Sequence, residues 1–413
     1  MASDISTLST YSNVTREAHR KKVAFSGNKD TWLFDYLKTD PQKHAGESLV
    51  NFSLQTQLPE SATFTSENAA HPTAVQPDYA KGQLYIKKLL AIMKYSEETV
   101  HLNKGQEAII RDLMALRDGT YAAYLLLRDF SIHTPGSGIL ATATSQDSDQ
   151  TFTVDSVRWL RKGMIIDGYN GSNHQDADSI VITDINPSTL TVTVTGTITD
   201  VDTDTNFYYN DTYTASGGTI ATTKYTNGIE TICSDSDPAY GNFEGLDRGS
   251  YEYAKATVKY GTVPGTAEAF TLDRLYELIE LGVGNVGLSK LSKFALCSPK
   301  CLRAIYNTFR DEQQPTVNMP AREGMPETLG FKYGSHEFRL YGDYRSAPNT
   351  LYFPNSNYII KYNGGPEGWD NYSGSTVNRF EGYQSFYEIY RGWWNYGTDF
   401  PQANMALYDI TEA

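Results

Sequence analysis

The chain is poor in the side chains from which most active sites are built: 3 cysteines and 7 histidines in 413 residues. Three thiols cannot all pair within one chain, and Cys297-Ser-Pro-Lys-Cys301 has neither redox nor zinc spacing. The cysteines therefore read as reduced, buried thiols from a cytosolic site of assembly. The histidines are scattered, and neither Gly-x-Ser-x-Gly nor His-Glu-x-x-His occurs, so no catalytic residue is nominated. Cations are also scarce. With 35 Lys and Arg against 49 Asp and Glu, the net charge is −14, which argues against wrapping nucleic acid by displacing its counterions. No apolar run reaches membrane-spanning length, and the opening MASDISTLSTYS has no basic region followed by an apolar core.

Aromatic residues are plentiful. They make up 13% of the chain, with 30 tyrosines and 17 phenylalanines, more than a helix bundle needs and in keeping with sheets and interfaces. The length suits roughly two or three domains.

Residues 1–45 are mostly polar and read as an arm that docks instead of folding alone. Its one basic cluster is Arg16, Arg20, Lys21 and Lys22, and its one apolar anchor is Trp32, Leu33, Phe34, Tyr36 and Leu37. Ser48–Gln57 alternates in strand fashion, a Pro/Ala/Glu excursion of roughly twenty-five residues follows, and Leu84–Tyr95 returns as a strand. A two-stranded ribbon of that kind is marginal in water unless something packs on it, so it implies a partner.

Lys104–Phe130 reads as one long helix. Asn103 is its N-cap with Gln106 three residues on, and Ile109, Ile110, Leu113, Leu116, Thr120, Tyr121, Tyr124 and Leu127 recur at helical spacing. His133, Thr134, Pro135 and Gly136 stop it. From Gly138 to about Ala221 the composition shifts abruptly to Thr- and Asp-rich strands, which predicts a small β-barrel or sandwich inserted between α/β parts. Beyond Gly228 the pattern is α+β. Thr271 caps a helix over Leu272–Leu281, Phe294–Cys297 is a buried strand, Pro299 opens a helix to Phe309, and short strands follow at 338–341, 351–353, 358–362, 387–390 and 406–410. No fixed-period repeat is present.

Several motifs invite a chemical reading. Gly282-Val-Gly284-Asn-Val-Gly287 spells the dinucleotide fingerprint, but the helix precedes it and the strand follows, so the glycines read as a helix terminus and turn. Asp200, Asp202 and Asp204 alternate as calcium ligands could, although Thr205 stands where the calcium loop needs glycine. They are weak metal candidates and read better as a solvated strand end, as do Asp176 and Asp178. Trp393 and Trp394 could form a sugar-stacking platform, and read more naturally as a core or interface strand. No spacing nominates a carboxylate pair for glycoside hydrolysis.

Taken in order, these parts resemble the major capsid protein of tailed bacteriophages, the Hong Kong ninety-seven type fold. Gly245-Leu246-Asp247-Arg248 is similar to that family's Gly-hydrophobic-Asp-Arg turn, Thr271–Leu281 to its second peripheral helix, and Phe294–Phe309 to the strand and helix that open its axial domain. Gly330-Phe331, Phe338–Tyr341, Asp343 and Leu351–Phe353 are similar to its later strands, and Pro401 with Ala406–Ile410 to its closing strand.

The resemblance implies an α+β fold in five parts. They are an N-terminal arm (1–45), an extended hairpin loop (46–95), a peripheral domain with its spine helix (96–137 and 222–290), an inserted all-β domain (138–221) and an axial domain (291–413). It implies a non-enzymatic virion protein without cofactors. Such a protein assembles in the host cytoplasm with itself into hexamers and pentamers, beside scaffold, portal and decoration proteins, and encloses DNA without reading it or touching a membrane. The candidate inter-subunit contacts are Arg16, Arg20, Trp32, Phe34, Pro59, Glu60, Glu67, Tyr79 and Lys81. An isopeptide crosslink does not carry over, because Lys81 has no identifiable asparagine partner. No long helical scaffold region precedes the arm, which implies a mature form or a separate scaffold. The alternatives are a carbohydrate-binding or glycan-processing β-rich protein, or another virion structural protein such as a tail or fibre component.

Overall fold

The computed structural model describes residues 32–39, 48–57, 64, 76–97, 106–148, 150–170, 173–174, 180–195, 201, 203–209, 215–216, 219–220, 225–238, 241–311, 317–319, 328–334, 336–370, 377–379 and 385–412. Three larger sheets carry the fold.

The axial sheet has seven strands in the order Thr257–Lys259, Met405–Leu407, Leu351–Phe353, Phe294–Cys297, His336–Gly342, Thr328–Tyr333, Val317–Met319, with parallel and antiparallel neighbours mixed. Successive side chains point to opposite faces. Ala295, Cys297, Phe338, Leu340, Leu351, Phe353, Met405 and Leu407 share a core with helices Leu272–Val286 and Pro299–Asp311. Phe294, Leu296, Tyr341, Tyr352 and Ala406 lie in the cluster formed with the arm and the long helix. With both faces covered, these strands are continuous apolar runs, and each fully buried Leu or Phe contributes roughly 1.5–3 kcal/mol.

Two sequence expectations change here. The Thr271-capped helix runs on through Gly282 and Gly284 to Val286 and ends where Gly287 turns left-handed at φ 82°. Gly282 belongs inside the helix because a Cβ there would fall 2.6 Å from Met405 Sδ. The same helix, expected in the peripheral domain, packs beside Pro299–Asp311 on the axial sheet, because Leu275, Leu278 and Ile279 face that core.

The second sheet is built on one 14-residue strand, Ser385–Thr398. Lys87–Ser96 pairs antiparallel along one side of it, and Ile359–Asn363, Gly368–Trp369 and Asn378–Arg379 pair along the other. The spine helix, Gln106–His133, has 28 residues and spans about 42 Å. It meets this sheet through Tyr124, whose ring lies 4.6 Å from that of Tyr390 and 6.1 Å from that of Trp394. Asn103, its expected cap, lies outside the described residues, and the helix reaches His133 before Gly136 turns at φ 82°. Its burial is uneven: Tyr121 is exposed, whereas every residue from Arg128 to Thr134 is buried.

The third sheet closes on itself. Its strands run Asn206–Tyr209, Ile139–Ser148, Thr151–Val154, Thr191–Val194, Ile180–Asn186 and Ile165–Asn170, and the last pairs back to Asn206–Tyr209, all antiparallel. Phe152 and Phe207 stack inside at 4.5 Å, and closure leaves no open sheet edge along the ring. Phe130 of the spine helix enters the same cluster, with its ring 5.1 Å from Trp159 and 5.4 Å from Tyr225.

Candidate assembly interface

The hairpin pairs Leu49–Gln57 with Asp78–Tyr85, from Leu49 opposite Tyr85 to Gln57 opposite Asp78. The returning segment is not one strand as expected. It breaks at Ile86, and Lys87–Ser96 passes to the spine sheet. The break gives the ribbon a seat on its own subunit. Val50 and Leu84 pack with Tyr362, Ile86 and Ile360, and Ala80 packs with Leu246 and Ala254. Gly82 stands opposite Phe52, whose ring occupies the place a Cβ would need. The other face carries Asn51, Ser53, Gln55, Tyr79, Lys81 and Tyr85, all exposed, with Tyr79 at 59% and Tyr85 at 57%. Exposed tyrosines on a ribbon face suit a protein contact, since they add area at small entropic cost.

The seat is a turn fixed by buried charge. Arg248 is 0% exposed and donates to the carbonyl oxygens of Ala254 (3.1 Å), Thr231 (2.9 Å) and Ser236 (2.8 Å), with its guanidinium 4.1 Å from the centre of the Phe243 ring. Asp237 accepts from the backbone N–H groups of Phe243 and Arg248, each at 2.9 Å. Glu244, left-handed at φ 54°, accepts from Thr398 N–H at 2.7 Å and so ties the turn to the long strand. Burial pushes its carboxyl up to about 8. The motif letters marked this turn, but nothing in them marked Glu244.

The described part of the arm, Trp32–Thr39, docks on its own chain. Trp32–Tyr36 is a short helix, and Lys38–Thr39 adds a parallel strand beside Ile359–Asn363. Trp32 and Phe34, named among the expected contacts with a neighbour, make contacts within their own chain. Trp32 Nε1 donates to Asp343 (3.2 Å) with its ring 5.5 Å from Phe294, and Phe34 is 5% exposed beneath the Arg128 guanidinium and Lys361 ammonium. Phe34 is buried within the chain, and Trp32 is half-buried against the same cluster. Arg16, Arg20, Pro59, Glu60 and Glu67 lie outside the described residues, as do Asp200 and Asp202. Asp204 is an exposed turn residue at φ 87°. Trp394 is buried in the core and Trp393, on the opposite face, sits near Lys88 and Arg391, so the two do not make one stacking platform. The three cysteines are buried and unpaired. No helix among the described residues is long and apolar enough to cross a membrane.

A ribbon seated on one face and open on the other, a long helix on a long-stranded sheet, a closed barrel, and a seven-stranded sheet under two helices make up the architecture. Solved structures give its type. The chain is similar to a chain of the cyanophage A-1(L) capsid asymmetric unit at 11% identity and TM-score 0.55, covering 98% of this chain and 100% of that one. It is also similar to a capsid chain of a native GTA particle at 7% identity and TM-score 0.50, covering 95% and 94%. No protein-family description and no curated protein matches the sequence. The fold is the tailed-phage major capsid fold, of the Hong Kong ninety-seven type.

Proposed function

We propose that this chain is the major capsid protein of a tailed bacteriophage, and that its activity is association, not chemistry. The observation that carries the reading is likeness over 98% of this chain to a chain of a capsid asymmetric unit. In this reading the open hairpin face, with Tyr79 and Lys81, lies on an adjacent subunit and supplies cross-subunit contact. The axial sheet gathers around the local symmetry axes of hexamers and pentamers, the shell encloses double-stranded DNA, and the barrel is available to a decoration protein. Assembly takes place in the host cytoplasm with scaffold and portal partners. Negative-stain microscopy of the purified, expressed protein tests this. Closed shells, sheets or tubes are expected, and monomers that stay monodisperse at high concentration would overturn it.

A further inference from the structure

One cluster of charges lies at the C-terminal end of the spine helix, apart from the open hairpin face. Five stretches of chain meet there. The last turns of the spine helix bring Asp129 and His133, 1% and 3% exposed. The loop after His336–Gly342 brings Asp343 and Arg345, the short helix Ile229–Ile232 brings Glu230, the barrel brings Arg158, and the arm brings Trp32. Asp129 pairs with Arg345. Arg158 donates to Glu230 Oε1 at 3.1 Å and to the Arg345 carbonyl oxygen at 3.3 Å. Asp155 and Tyr352 lie near enough to influence Glu230 or be influenced by it.

Both nitrogens of His133 face oxygen. Nδ1 lies 3.0 Å from the Asp129 carbonyl oxygen and 3.7 Å from Asp129 Oδ1, and Nε2 lies 3.4 Å from Asp343 Oδ2. Neither a carbonyl nor a carboxylate oxygen can donate, and a neutral imidazole has one N–H for two such neighbours. The charge count points the same way. Asp129, Glu230 and Asp343 are three carboxylates against the two guanidiniums of Arg158 and Arg345, so a proton on His133 brings the buried group to neutrality. Uncompensated buried charge is costly.

We propose that His133 is a proton-operated pin. Doubly protonated, it joins the spine helix to the axial sheet and steadies the seat of arm and barrel; when one proton leaves to solvent a single N–H remains, so one of Asp129 and Asp343 faces a bare lone pair and the joint loosens. The electrostatics agree. Burial alone would lower His133, but the two carboxylates push it above its ordinary value. Burial alone would raise Asp343, but His133 and Arg345 hold it down to about 2. Burial pushes Asp129 and Glu230 up against their cationic partners, as expected where an extra negative charge is unwelcome. A histidine raised in the folded state contributes stability that is complete below its unfolded value and is lost as pH climbs through the folded one.

Hydrogen exchange on the full chain tests the proposal without any need for assembly, so its failure would be separate from failure of the capsid reading. Rates corrected for intrinsic pH dependence should rise at least tenfold between about pH 7 and about pH 9 in segments 129–134, 157–160 and 343–346, but not in the axial strand 294–297. In His133→Gln the corrected rates should be raised already and flat with pH. Asp343→Asn, which removes one carboxylate, should move the rise to lower pH. Flat corrected rates in the wild type would overturn the proposal even if neither variant folds. So would a rise that persists unchanged in His133→Gln.

Discussion

Glu244 makes the subunit's stability fall with pH, and the fall can be sized. Its carboxyl ordinarily titrates at 4.5 and is pushed up to about 8 in the fold, so between these values the folded chain keeps a proton that the unfolded chain has released. Stability therefore decreases as pH rises through that window and levels off above it. At about 1.36 kcal/mol per pKa unit the full separation would cost about 5 kcal/mol, and relaxation of a buried site reduces this to about 2–4 kcal/mol. Glu244→Gln keeps a side-chain oxygen to accept from Thr398 N–H and removes the titration. Calorimetric midpoints of the two proteins should nearly coincide at pH 5. At pH 9 the variant should be higher by roughly 2–5 °C, at about 1.2 °C per kcal/mol for 413 residues with an unfolding entropy of about 2.1 cal/mol/K each. Parallel profiles from pH 5 to pH 9 would refute the argument, because an ionised Glu244 would then be as well accommodated as a neutral one. The His133 contribution has the same sign but begins near 6.5, and comparing the wild type with each variant separately distinguishes the two.

Arg248→Met should destabilise the chain by about 3–5 kcal/mol in urea unfolding, since three carbonyl groups lose a buried charged donor, and a loss under about 1 kcal/mol would contradict the role given to the turn. Phe130→Ala, by hollowing the joint of barrel and spine, should cost about 3–5 kcal/mol and open the chain to limited proteolysis near Gly138, which mass spectrometry of the fragments would reveal. Tyr79→Ser combined with Lys81→Glu should leave the melting temperature within about 1–2 °C yet abolish particles under the microscope; intact shells would show that the open hairpin face is not a contact.

Local signals were legible where physics is local. The long helix, the strand–helix pair from Phe294, and the first hairpin strand follow from period and turn chemistry, and their bounds move by only a few residues. The hairpin's return hid its break at Ile86, because apolar character continues across it while the pairing partner changes from Leu49–Gln57 to Ser385–Thr398. That long strand read as two separate pieces, 387–390 and the stretch around Trp393 and Trp394, because Gly392 stands between them; glycine is required there, since a Cβ would collide with the Trp394 ring. Barrel closure depends on Asn206–Tyr209 finding two partners at once, which no period encodes. The buried polar cluster was invisible because Asp129, Arg158, Glu230 and Arg345 come from distant parts of the chain, and only folding makes them neighbours. The anchor at Trp32–Leu37 was visible, but its partner was not: apolarity says that a segment docks, and it does not say on whom.

The pairing of Lys87–Ser96 with Ser385–Thr398 also bears on when a subunit becomes competent. Asn395 Nδ2 donates to the Tyr85 carbonyl oxygen at 2.7 Å across 310 residues of sequence, and Tyr362 and Ile360, on which Val50 and Leu84 rest, are held by the same long strand. The surface that seats the hairpin is thus completed by a segment that follows Tyr85 by 310 residues. A partly made chain carries its arm and ribbon with nowhere to set them, and long-range strand closure is the slow kind of step. The topology works as a clock, leaving the hairpin without its seat until the long strand Ser385–Thr398 has been made.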